Sequence, residues 1–207
     1  MNGQKDTAKA EYTQRLLDKQ RVWWKRVLDV QAPYRWNLRH LRPGYTLEIG
    51  CGVGRNLQHL SGHAVGIDHN RDSVEVARRR GLTALLPEEF RASSLNAAEG
   101  YDSLLAAHLV EHMTLAEAVD LIGTYLPNLR PGGRLILITP QEAGFRSDST
   151  HVEFMDFEKL RQIKLALGLR LEQEFSFPFP RVAGRIFTYN EFVSLGRKTG
   201  ASREVAV

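Results

Sequence analysis

A single cysteine in 207 residues excludes an internal disulfide and any site built from several thiolates. A reducing compartment, the cytoplasm, is the matching expectation. No apolar run approaches the roughly 18 residues of a membrane-spanning helix, and the N-terminal stretch is polar and charged rather than signal-like. No membrane partner is therefore expected. Repeats, low-complexity tracts and Pro/Gly/Ser-rich linkers are also missing, so the 207 residues read as one domain. Neither sign of charge dominates, with 28 Lys/Arg against 24 Asp/Glu. What imbalance exists is local: residues 1–42 hold ten Lys/Arg against four Asp/Glu, and residues 43–207 are slightly acidic. A basic segment can steer acidic partners, but a solvated helix face looks the same. No RNA-binding motif accompanies it, so a nucleic acid partner is not expected. Nothing in the sequence speaks to oligomeric state.

What is present is alternation. Residues 8–30 lack Gly and Pro and space Tyr12, Leu16, Trp23, Val27 and Val30 as an amphipathic helix. Pro33 opens a second helix through Leu41. Strands are then predicted over 45–49, 64–68, 82–86, 101–107 and 134–139, with helices over 55–60, 74–80 and 115–126 between them. Thr114 with Glu117 spells a capping box for the last of these helices. Asp156 caps a further helix that ends at Gly168. The runs 169–175 and 186–195, on either side of Pro178 and Pro180, read as a closing hairpin. Strands alternating with helices imply a doubly wound α/β fold with a mainly parallel sheet and an antiparallel C-terminal strand.

The first strand runs into Glu48-x-Gly50-x-Gly52-x-Gly54, a turn that lets a ligand approach backbone amides at a helix start. A dinucleotide fingerprint would put a small residue at Arg55, and no Walker phosphate loop exists anywhere in the chain. The spacing instead resembles motif I of the class I S-adenosylmethionine (SAM)-dependent methyltransferases. Asp68, which ends the next strand, matches the acid that holds the ribose hydroxyls in that family. Gly100-Tyr-Asp102 and Leu129-Arg-Pro-Gly-Gly133 match the family's fourth and fifth strand signatures. The resemblance implies a seven-stranded Rossmann-like core over 43–207, an N-terminal helical lid over 1–42, SAM as cofactor and S-adenosylhomocysteine as product. It assigns Glu48, Gly50, Cys51, Gly52, Gly54, Asp68, His69, Glu88, Ala107 and His108 to the cofactor. Trp23, Trp24, Tyr34 and Trp36 are candidates to cover the pocket. Cys51 lies inside the loop, so no cysteine is left for covalent catalysis.

For a hydroxyl acceptor, methyl transfer needs a place for a proton, and histidine is the natural base near neutral pH. His151 is the leading base, with Glu153 as its orienting partner; His112 and His108 are the other candidates. His108-x-x-Glu111-His112 has the spelling of a zinc-protease motif, but that motif needs a helix and these residues leave a strand. His108, Glu111 and His112 also form an alternative metal set. A histidine in the first place suits a hard cation poorly, so a divalent metal is not favoured. Arg181 is a candidate for substrate binding. The expected activity is O-methylation of a small polar molecule, a sugar or other polyhydroxylated metabolite. The alternatives are a small-amine N-methyltransferase, an RNA methyltransferase or a non-catalytic SAM-binding module.

Overall fold

The computed structural model describes residues 31–200. The helix expected over 8–30, with Trp23 and Trp24, lies outside the described residues. Seven strands follow in chain order: β1 Thr46–Ile49, β2 Ala64–Ile67, β3 Ala84–Leu85, β4 Tyr101–Ala107, β5 Leu129–Pro140, β6 Leu169–Phe177 and β7 Glu191–Lys198. They form one sheet in the order β3-β2-β1-β4-β5-β7-β6. The pairs β1–β2, β2–β3, β1–β4 and β4–β5 are parallel. β7 runs antiparallel between β5 and β6, as the closing hairpin required. This is the doubly wound α/β architecture expected from the alternation.

Helices cover both faces. On one lie α5 Leu115–Tyr125 and α7 Phe157–Ala166, whose Ala118, Ile122, Leu160 and Ile163 meet Leu47, Leu104, Leu135 and Leu137. On the other lie α1 Ala32–His40, α2 Arg55–His59 and α3 Arg71–Arg79. Their Leu38, Leu57, Val74 and Ala77 pack with Leu105, Ile136 and Val193. Consecutive β4 residues thus point to opposite cores, which is why its sequence is apolar throughout rather than alternating. Two shorter helices, α4 Pro87–Ala92 and α6 Glu142–Arg146, follow β3 and β5.

The caps fall where the sequence placed them. Thr114 Oγ1 accepts from the Glu117 amide, and the Glu117 carboxylate accepts from the Thr114 amide at 2.9 Å. Asp156 Oδ1 accepts from the Lys159 amide. Several boundaries differ, among them that of β5, which begins at Leu129 rather than at 134. α3 begins at Arg71 because the Asn70 side chain caps it, accepting from the Ser73 amide. The run 186–195 is strand only from Glu191 onward; Ile186 is exposed, because the segment before β7 is a surface turn closed by Phe187 and Asn190.

Thr114→Ala should cost about 1 kcal/mol of stability by removing the cap. Urea unfolding followed by far-UV circular dichroism measures this. No change in midpoint would show that packing alone holds the start of α5.

Candidate functional site

The parallel strands all end at one edge, and β1 leaves it through the glycine turn. Gly50 sits at φ +74°, where a Cβ would also come within 2.7 Å of a Leu109 methyl. Only glycine meets both conditions. The turn is stitched to β2: the Gly50 and Cys51 amides donate to Ile67 O at 2.8 and 3.0 Å. The Gly52 amide donates to Asp68 Oδ2 at 2.7 Å. Asp68 Oδ1 accepts from the Asn70 amide at 2.8 Å, so each carboxylate oxygen spends one acceptor site on the protein and keeps another for a ligand. Gly54, left-handed at φ +80°, starts α2.

Glu48 is buried at the end of β1. Asn56 Nδ2 donates to its Oε1 at 2.7 Å, while Oε2 has no partner. Burial is the largest influence on this carboxyl and pushes its pKa up to about 8, although Asn56 pulls the other way. Cys51 is buried and its thiol is pushed up by that burial, so it is an inert packed residue. Ala107 is buried at the end of β4, beside the turn. His69 and Glu88 are substantially exposed on the rim. Glu89 is used by the fold, since its carboxylate accepts from the Leu86 amide and pairs with Arg78; Glu88, the more exposed of the two acids, lies 3.9 Å from the Arg71 guanidinium.

His108 follows β4 with φ +55°, an uncommon conformation for a non-glycine residue. Its Nε2 lies 2.8 Å from Glu191 Oε1, and its Nδ1 lies 3.5 Å from Glu111 Oε1. Desolvation pulls this imidazole down, but the two carboxylates outweigh it and push the pKa up to about 9. Both ring nitrogens of His108 thus face carboxylates of the protein. Residues Val110–His112 form one tight helical turn that buries Glu111 and half-buries His112. His112 is held below its ordinary pKa, chiefly by burial. Its ring centroid lies 4.9 Å from that of His151. His112 Nδ1 lies 3.2 Å from both Thr150 O and Thr150 Oγ1, and His151 Nδ1 lies 2.7 Å from Phe145 O. A carbonyl can only accept, so both rings carry the proton on Nδ1 and present a lone pair at Nε2.

Several expectations are corrected. Glu153 does not orient His151: it accepts from the Leu115 amide at 2.7 Å and pairs with Lys159, which ties the loop to α5 and α7. The metal-type cluster is Glu111, His112 and His151, whose ligand atoms lie within 4.8 Å of one another among the described residues. His108 is not in that set; its ring lies between Glu111 and Glu191. Arg181 is committed to a two-point pair with Glu142 and lies over the Phe192 ring. Tyr34 reaches the site side, donating to Tyr189 O at 2.7 Å. Trp36 does not cover it; it stacks on His40 over a different cleft. Asn56 and Glu191 went unremarked in the sequence. Asn56 was findable as the second residue of the helix behind the glycine turn. Glu191 had no local signal, because only the register pairing it with Pro140 brings it to this edge.

The Glu48 carboxyl gives a pH signature. Its folded pKa is raised above an unfolded value near 4.5, so the native state holds the extra proton between about pH 4.5 and 8. Stability should fall as pH rises through that window, by on the order of a few kcal/mol. Glu48→Gln should flatten the slope. Urea midpoints taken across the window in both proteins check this, and an equal slope in the variant would refute it.

Residues 47–135 match a family model described as a methyltransferase domain. The human "Probable tRNA methyltransferase 9B" is 31% identical over 123 residues, which is 58% of this chain and 25% of that protein. A ubiquinone biosynthesis O-methyltransferase of Chelativorans is 32% identical over 101 residues, 45% of this chain and 39% of that one. The chain thus spans a quarter to a half of the length of the curated relatives it matches. A Thermotoga maritima structure, a SAM-dependent methyltransferase described as a possible histamine N-methyltransferase, superposes with a TM-score of 0.65 at 18% identity, covering 91% of this chain and 98% of that one. Residues 47–135, which carry this glycine turn and the strands on either side of it, thus match a methyltransferase domain, and the sheet order is the fold of SAM-dependent methyltransferases.

Proposed function

We propose that this protein transfers a methyl group from SAM to a hydroxyl of a small polar acceptor, a sugar or other polyhydroxylated metabolite, in the cytoplasm. The observation that carries this reading is the His112–His151 pair, two imidazoles with Nε2 lone pairs at the strand edge that also carries the glycine turn. The cradle suits the cofactor. Glu48 Oε2, buried without a partner, matches an ammonium, and the spare acceptor sites of Asp68 match a pair of ribose hydroxyls. Gly50 and Gly52 keep side chains out of the space in between.

When bound, SAM supplies a methyl group made electrophilic by its sulfonium. The protein's work is then orientation and proton handling. His151 Nε2 would take the proton of the acceptor hydroxyl as the methyl group is transferred. The Phe145 carbonyl holds the ring in the tautomer that can take it. His112, kept neutral by burial, sits beside it as an alternative acceptor. The polar rim of His112 and His151 favours a hydroxylated acceptor over an apolar one.

An RNA acceptor is the second reading, favoured by the similarity to the human tRNA methyltransferase relative and by the basic balance of residues 1–42. Arg42, Arg130, Arg134 and Arg197 also line a cleft of about 720 Å³ at the amino ends of the strands, away from the glycine turn.

Calorimetry with SAM should show one site per chain. Gly52→Val should abolish it, because valine is strained at φ +51°. A native chain that binds no SAM would sink the proposal. A methyl-transfer screen against sugars, phenols, amines and tRNA then identifies the acceptor class. With a hydroxyl acceptor, His151→Ala should lower kcat by about 100-fold and leave SAM affinity unchanged; an unaltered kcat removes His151 as the base.

A further inference from the structure

Glu111 is the least satisfied group in the described part of the molecule. It is fully buried, and neither carboxylate oxygen has a hydrogen-bond partner. Its nearest cation, His108 Nδ1, is 3.5 Å away, and that same ring is engaged at 2.8 Å by Glu191. One imidazole is therefore shared by two carboxylates, and Glu111 holds the more distant place. Burying a carboxylate without a partner is costly, and such groups in folded proteins are paired or bind a metal.

The neighbours of Glu111 supply the rest of a coordination set. His112 and His151 bring one ligand atom each to within 4.8 Å of the other and of the Glu111 carboxylate. Their outer atoms are arranged as metal-bound histidines are. Each ring gives its Nδ1–H to a backbone carbonyl, Thr150 O for His112 and Phe145 O for His151. That fixes the tautomer and the ring plane and leaves Nε2 as the donor. The supporting loop is itself braced, since Asp148 Oδ1 accepts from both the amide and the hydroxyl of Thr150.

From this geometry we propose that Glu111, His112 and His151 bind one divalent cation of the borderline class, such as zinc, cobalt, nickel, manganese or iron(II). Two imidazoles and one carboxylate suit these ions, whereas magnesium and calcium prefer all-oxygen sets. Three protein ligands leave open positions for an exogenous oxygen. This inference rests on the methyl-transfer reading for its role. The acceptor hydroxyl would bind the ion, its pKa would fall, and its proton would leave to solvent. The Nε2 lone pairs of His112 and His151 hold the ion when it is bound, and the base role given to His151 above belongs to the ion-free protein.

The test uses the full chain stripped of metal with a chelator and titrated with Zn²⁺ by calorimetry and with Co²⁺ by visible absorption. One ion per chain is expected, with ligand-field bands for cobalt and a raised Tm. Glu111→Gln and His151→Ala should each weaken binding by more than about tenfold. Glu111→Gln keeps the side-chain volume and removes a buried charge, and Tm without metal reports whether it folds; if it does not, His151→Ala decides. Absence of stoichiometric binding by the native chain overturns the inference, as does binding unchanged in the variants. SAM-dependent turnover in a chain that binds no ion overturns this site and leaves methyl transfer standing. Ion binding without SAM binding does the reverse.

Discussion

The turn that carries β1 out of the sheet and straight into α2 is the constraint on which the rest of the site depends. Three backbone amides within it, those of Gly50, Cys51 and Gly52, are satisfied by β2 or by Asp68 at its end. The turn can follow this path only because its alternate residues are glycines with positive φ. Once it is fixed, Glu48 is sealed at its base and Asp68 is held at its side. The parallel neighbours β2 and β4 then place every later functional residue at the same carboxyl edge, where open α/β sheets bind their ligands.

Electrostatics at that edge is governed by burial. Glu48 and Glu111 are both carboxyls taken almost wholly out of water, and each has an oxygen without a partner. A protein of ordinary stability tolerates few such groups. Their placement side by side with the glycine turn and the histidine pair is more easily understood as preparation for ligands than as packing. His108 moderates the field by pairing with Glu191, which also fastens β7 to the site. The C-terminal strand therefore completes the edge as well as extending the sheet.

Much of the fold was legible because its signals are local. The Thr114–Glu117 box, the Asp156 cap and the apolar stretch of β4 are each set by neighbours within a few residues. The glycine turn behind Glu48 and the Asp68 that braces it were legible for the same reason, since one turn and the following strand contain them. Glu153 was misread because its identity suited a partner of His151. Its actual contacts, Lys159 and the Leu115 amide, come from helices whose relative placement no local pattern encodes. Trp36 was misread in the same way: its helix was found, but the direction of one exposed ring was not.

The sequence by itself determined the order of strands and helices, the glycine turn and the acids that flank it, because spacing and backbone conformation act over short distances. Only the tertiary structure decided which of the acids and histidines meet. Residues Val110–His112 follow β4, His151 follows β5, and Glu191 begins β7. Their encounter depends on the β4–β5 and β5–β7 registers, and a register is a property of the packed sheet rather than of any one strand.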